Sequence, residues 1–220
     1  MTEMNLEQAR YNMIEQQIRP WEVLDQKVLD MLTQVPREEF VPDSYRNLAF
    51  TDIGIPLDHG QSMLPPKIEA RMLQALEIKP QDDILQIGTG SGYVTALLAS
   101  LGGHVTSVDI HEDLQAKAEQ KLTDNNIHNI TMECGDGSRG WNPNRTYDVI
   151  AIMGSLPVLP ESFQLSLNKG GRLFAFVGDS PIMEAVLITR VGDNEWSHEV
   201  LFETDVPVLE NAPQPERFSL

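Results

Sequence analysis

The chain has 220 residues, 41% hydrophobic and 22% charged, enough for one sizeable core without a disordered composition. With 33 acidic and 16 basic residues its formal charge is −17, and Lys and Arg are scattered singly, which argues against a nucleic-acid partner. No run approaches the roughly 20 apolar residues that span a bilayer, so no membrane segment is expected.

The N-terminus, residues 1–17, is polar and carries Glu3, Glu7 and Glu15, unlike a signal peptide. Cys134 is the only cysteine, so no internal disulfide can form, and a cytoplasmic setting is the expectation. Residues 5–34 read as two helices broken at Arg19-Pro20, where proline ends the helix before it. Val23, Leu24, Val28, Leu29, Met31 and Leu32 stripe the second. Val35 to Pro42 is a proline-bracketed connection. Residues 43–66 are irregular, with Gly54, Pro56, Gly60, Pro65 and Pro66, and a loop this long and apolar covers something or acts. Residues 67–78 form an amphipathic helix with Ile68, Met72, Leu73 and Leu76 on one side.

The pattern then alternates. Strands are expected at 83–87, 105–110, 130–134, 147–153 and 172–177, with helices from the turn at 88–92 through 101, at 112–125 and at 161–168. Two further strands, near 184–191 and 197–207, are joined only by Gly192 to Glu195 and so are antiparallel. Apolar strands alternating with helices predict a parallel sheet covered on both faces. The expectation is one domain over 1–220: helices and a cover loop to residue 79, and an α/β core from residue 80.

Gly88-Thr89-Gly90-Ser91-Gly92 follows the first strand of that core and opens a helix. In an open parallel sheet, ligands bind beyond the carboxyl ends of the strands at the switch point. Glycines let the backbone approach a ligand closely, although a plain strand–helix turn is the bland alternative. A dinucleotide fingerprint needs a third glycine where Tyr93 stands, and no Lys-Ser/Thr pair follows to make a phosphate loop. Asp109 lies roughly twenty residues on, at the end of the next strand, where an acid can hold both ribose hydroxyls or simply cap a helix. Asp136, between Gly135 and Gly137 past the third strand, could accept from an adenine amino group or be a turn residue.

Together these motifs resemble the protein-L-isoaspartate O-methyltransferase family. The strings that carry the resemblance are Asp83 to Tyr93, Val35 to Pro42, Gly60 to Met63, Gly135 to Trp141, Gly170 to Leu173, and Val177-Gly178. The resemblance implies a Rossmann-like class I methyltransferase fold: a mostly parallel, doubly wound sheet with a C-terminal antiparallel hairpin and an N-terminal helical extension. It implies S-adenosylmethionine as cofactor, held by Gly88, Thr89, Gly90, Ser91, Asp109, Ile110, Asp136 and Gly137. It also implies that the loop near 56–66 covers the cofactor, and that the reaction methylates L-isoaspartyl carboxylates of damaged proteins. The usual active-site serine falls on Leu64, Gln86 replaces a glutamate, Asp109 replaces a glutamate, and Met153-Gly154-Ser155 replaces a Thr-Ala-Ala-like stretch. A methyltransferase of the same fold acting on another acceptor is therefore the alternative.

A carboxylate acceptor is ionised at pH 7, so positioning rather than a strong base carries the chemistry. No metal is implied. Ser62 and His59 are the candidate acceptor-site residues, against the ordinary reading of a serine bonded to its own backbone and a loop histidine. Asp58 adds negative charge there and counts against an anionic acceptor.

Overall fold

The computed structural model describes residues 3–215. Its helices and strands are α1 (Glu3–Met13), α2 (Gln26–Gln34), α3 (Arg37–Phe40), β1 (Ile55–Pro56), β2 (Ser62–Met63), α4 (Pro66–Leu76), β3 (Asp83–Ile87), α5 (Tyr93–Leu101), β4 (His104–Asp109), α6 (Glu112–Asp124), β5 (Ile130–Cys134), β6 (Tyr147–Leu156), α7 (Glu161–Leu165), β7 (Leu167–Val177), β8 (Met183–Gly192) and β9 (Glu195–Thr204). The break at Arg19-Pro20 is observed: a π-helical turn at Ile14–Ile18 gives way to a 3-10 turn over Arg19–Trp21. Three expectations are corrected. The connection after α2 holds the helical turn α3. The irregular stretch contains a small β1–β2 ribbon. The helix expected to reach residue 168 stops at Leu165, because β7 begins five residues before Arg172 and pairs Leu167 with Tyr147.

Seven strands form one sheet in the order β5-β4-β3-β6-β7-β8-β9. The first five are parallel; β8 then pairs antiparallel with β7, and β9 antiparallel with β8. The order reverses at β3, which has β4 on one side and β6 on the other, so the switch point lies at the end of Ile87. Alternation along each strand feeds two apolar layers. Phe174 and Phe176 face the layer that includes α2, α4 and α5, whereas Leu173 and Ala175 face the layer holding Phe163. The N-terminal helices therefore pack on the same sheet face as α4 and α5. Among the described residues no helix is long and apolar enough to cross a membrane.

The C-terminal end of α4 is tied to the sheet by Arg172. Its Nε donates to the Leu76 carbonyl at 2.9 Å, and its Nη2 donates to Glu77 O at 2.9 Å and Asp82 Oδ2 at 2.6 Å. Removing one partner of a buried pair strands the other, at about 3 kcal/mol. Arg172→Ala should lower the urea unfolding free energy by about 3 kcal/mol, whereas Lys169→Ala, exposed in the same strand, should change it by less than about 0.5 kcal/mol.

Candidate active site

The turn after β3 is built by its glycines and held by one carboxylate. Gly88, Gly90 and Gly92 take φ of 91°, 53° and 86°, a region that L side chains enter only with strain. At Gly92 there is also no room, since a Cβ would sit 3.0 Å from Ala118 Cβ and 3.3 Å from its Cα. Asp109, buried at the end of β4, accepts from Gly90 N through Oδ2 at 2.9 Å and from His111 N through Oδ1 at 3.0 Å. It thus couples the turn to the start of α6. Gln86 supports the turn from below. Its Nε2 donates to Gly88 O at 3.0 Å, while Oε1 accepts from Thr95 Oγ1 at 2.7 Å and Ser107 Oγ at 3.2 Å. An ionised glutamate could not donate to that carbonyl, so the amide suits this variant of the motif.

Above the turn lies an open cleft. Gly88, Gly90, Asp109, Ile110, Asp136 and Gly137 all line it. Thr89 and Ser91 do not: Thr89 is buried with its hydroxyl 2.7 Å from that of Ser107, and Ser91 accepts from Tyr93 N at 3.3 Å. Asp136 accepts from Ser138 N at 2.9 Å and from Asn211 Nδ2 at 3.1 Å. Partial desolvation works to raise its carboxyl, but the bonds from Ser138 and Asn211, with the charge of Arg139, outweigh that and hold it below the usual carboxylate range. Trp141 packs against Gly135, where a Cβ would meet its ring at 2.7 Å, and donates to Glu133. It therefore supports the Asp136 loop from the side.

Two segments roof the cleft. From the cover loop come Leu57, Gln61 and Ser62; from the C-terminal tail come Pro207, Leu209 and Glu210. The tail returns because Pro207 O accepts from Ser155 N at 2.9 Å and Leu209 N donates to Ser155 O at 3.0 Å. Gly154 makes the space, since a Cβ there would be 2.7 Å from Leu209 Cδ2. Glu210 Oε1 lies 2.7 Å from His111 Nε2 and accepts from Gln61 Nε2 at 3.2 Å, joining tail, α6 and loop. His59 is exposed and lies outside the residues lining the cleft. Its ring stacks on His111 at 4.0 Å, and its Nε2 is 2.8 Å from Asp113 Oδ1. The sequence reading missed the tail, which carried only the weak signal of Pro207-Val208-Leu209 beyond the last strand.

Beside the cleft is a smaller inner pocket, sharing Leu57, Ser62, Gly88, Gly90 and Met153 with it and adding Leu64 and Glu69. Ser62 spends its hydroxyl on Met63 O at 3.0 Å, the ordinary behaviour of a loop serine. Leu64 is buried, and its carbonyl accepts from Arg37 Nη2 at 2.8 Å. Arg37 is itself buried; it donates to Ala49 O at 2.9 Å and to Glu69 Oε2, and it lies 4.8 Å over the Tyr93 ring. Burial pushes the Glu69 carboxyl up to about 7, against the opposing pull of Arg37. Glu69 was missed, although its spacing from Met72, Leu73 and Leu76 sets it on the apolar face of α4.

The two kinds of glycine separate cleanly in experiment. Gly92→Ala, with both a positive φ and a neighbour at 3.0 Å, should cost about 3 kcal/mol of stability. Gly170→Ala, with a φ of 80° but open space, should cost only about 1 kcal/mol. Urea titrations of both variants measure the difference.

The family model described as protein-L-isoaspartate(D-aspartate) O-methyltransferase matches residues 8–211. Protein-L-isoaspartate O-methyltransferase 1 of Rhodopseudomonas palustris (strain HaA2) is 38% identical over 214 residues, covering 94% of this chain and 87% of that protein. A second protein-L-isoaspartate O-methyltransferase, from Rhodopseudomonas palustris (strain ATCC BAA-98 / CGA009), is 38% identical over 208 residues, covering 93% and 95%. Among solved structures, a protein-L-isoaspartate O-methyltransferase superposes with a TM-score of 0.77 at 23% identity, over 92% of this chain and 65% of that one. A putative protein-L-isoaspartate O-methyltransferase from Plasmodium falciparum, solved with S-adenosyl-L-homocysteine, gives 0.75 at 18% identity, over 93% and 98%. These two share the fold. On the family match and the 38% relatives, the chain belongs to the protein-L-isoaspartate(D-aspartate) O-methyltransferase family.

Proposed function

We propose that this chain is an S-adenosylmethionine-dependent methyltransferase that esterifies the carboxylate of L-isoaspartyl residues in damaged proteins, in the cytoplasm. The observation that carries the reading is the contiguity of the two cavities. The cleft flanked by Asp109 and Asp136 opens beside the inner pocket under Leu64, so a cofactor and an acceptor can meet at their shared wall.

The residues suit the cofactor. Asp109 retains acceptor capacity beyond its two backbone bonds, which fits the paired ribose hydroxyls. Asp136 is ionised at neutral pH and reaches the cleft, which fits a purine amino group. Gly88, Gly90 and Gly137 leave backbone surface for the adenosyl and methionyl parts, and Ile110 offers an apolar side to the base. Held by Gly88, Gly90, Asp109, Ile110, Asp136 and Gly137, S-adenosylmethionine would supply an electrophilic methyl group on positive sulfur for transfer to the acceptor oxygen. The protein supplies orientation and excludes water, through Leu57, Met153 and Leu209 on the walls of the cleft.

A second reading, another acceptor on the same fold, is favoured by one observation: Leu64 puts an apolar side chain in the inner pocket where the resemblance implies a hydroxyl. Calorimetric titration with S-adenosylmethionine, followed by methyl-transfer assays on an isoaspartyl peptide and its normal aspartyl twin, decides between them. Binding with turnover of the isoaspartyl peptide alone is expected; binding without that turnover favours the second reading, and no binding contradicts both. Asp109→Ala should weaken cofactor binding about 100-fold, from two charge-assisted hydrogen bonds at about 1.5 kcal/mol each.

A further inference from the structure

The inner pocket is short of hydrogen-bond donors. The Ser62 hydroxyl is committed to Met63 O, Thr89 to Ser107, and the Gln86 amide to Gly88 O, while Leu64 offers none. Ser91 and Glu69 keep capacity to spare. Among the described residues Glu69 is the only ionisable side chain lining this pocket, and it is 1% exposed. One of its oxygens, Oε2, accepts from Arg37 Nη1; no second partner for the carboxylate is found among the described residues. An anionic acceptor entering such a pocket would meet a carboxylate, and two carboxylates at one site do not both stay ionised.

Resting on the isoaspartyl reading above, we propose that Glu69 enters the reaction protonated, its Oε1–H donating to one oxygen of the acceptor carboxylate while the other oxygen takes the methyl group. Oε2 keeps its bond from Arg37. The charges then balance. With Glu69 ionised, the Arg37–Glu69 pair is neutral; with Glu69 protonated, the buried guanidinium charge is left for the incoming carboxylate. Binding therefore takes up one proton from solution, and that proton stays on Glu69 through the transfer. It returns to solvent once the neutral ester leaves and Glu69 can ionise again beside Arg37.

The groups around Glu69 permit this. Arg37 from α3 is the charge packed against it, Tyr93 from α5 lies close by, and Arg10 from α1 acts on Tyr93 from beyond. Leu64 and Met153 contribute no charge. Burial keeps the Tyr93 phenol above its ordinary value, so it stays neutral across the working range. Burial likewise brings the Glu69 carboxyl to about 7, so protonation near neutral pH is within easy reach.

The test measures proton uptake and the pH profile together. Calorimetric titration of the protein, loaded with S-adenosylhomocysteine, with an isoaspartyl peptide at pH 8 in two buffers of different ionisation enthalpy should show uptake of about one proton. The kcat/KM for the same peptide should fall about tenfold per pH unit above pH 7. Glu69→Gln keeps a donor and an acceptor but cannot titrate. It should turn over with a flat profile and no proton uptake, whereas Glu69→Leu should lose turnover. Turnover by the unaltered protein with a flat profile and no proton uptake overturns this inference alone. A Glu69→Gln profile that falls as steeply as the unaltered one also overturns it. Failure to bind or methylate the isoaspartyl peptide at any pH overturns the functional reading and this inference together.

Discussion

One buried carboxylate at the sheet's switch point organises the cleft. Asp109 ends β4 and gives one oxygen to the amide of Gly90 and the other to that of His111. The first bond fixes a turn of three left-handed glycines, which has little intrinsic reason to hold one shape. The second fixes where α6 starts, and with it the His111 ring that meets Glu210 of the returning tail. Among the described residues Asp109 is the one side chain that bonds both the turn and the start of α6. It also lines the cleft, so the group that builds the site stands beside any ligand in it.

The second constraint is the buried pair of Arg37 and Glu69. A guanidinium and a carboxylate at 1% exposure cost more to desolvate than their attraction returns unless every donor is used. Arg37 approaches that condition, each of its three guanidinium nitrogens donating once, to Ala49 O, Leu64 O and Glu69 Oε2. The arrangement anchors the end of the cover loop on α3 and α4, and it delivers an ionisable group to the inner pocket. The cleft is thus built largely from backbone and aspartates, and the inner pocket from Leu64, Met153 and the carboxylate of Glu69.

The parallel core was legible because its signals are local. The apolar runs of β3 and β6 fit no amphipathic period, and Gly88 to Gly92 announces a turn that only glycines can make. Of the cofactor-side candidates that line the cleft, the glycine turn, Asp109 and Asp136 followed from position relative to the strand ends, and Ile110 and Gly137 from the family resemblance. What stayed hidden depends on contacts between distant segments. The length of β7 is set by pairing with Tyr147, so Gly170-Gly171 read as a stop when it lies inside the strand. His59 was expected at the acceptor but stacks on His111 outside the cleft, a contact fixed by the tertiary approach of the loop to α6. Ser62 turned to its own backbone. Glu69 was visible in principle as a carboxylate on an apolar helix face, whereas the return of the tail to Ser155 had no signature in spacing.

The central claim is that the turn after β3 and the two aspartates flanking it form an adenosyl site. A crystal structure with S-adenosylhomocysteine tests it most directly. The account predicts the ribose hydroxyls on Asp109, the purine amino group at Asp136, and the sulfur facing the wall shared with the inner pocket. Adenosine bound elsewhere, or Asp136 turned away from the purine, would contradict it.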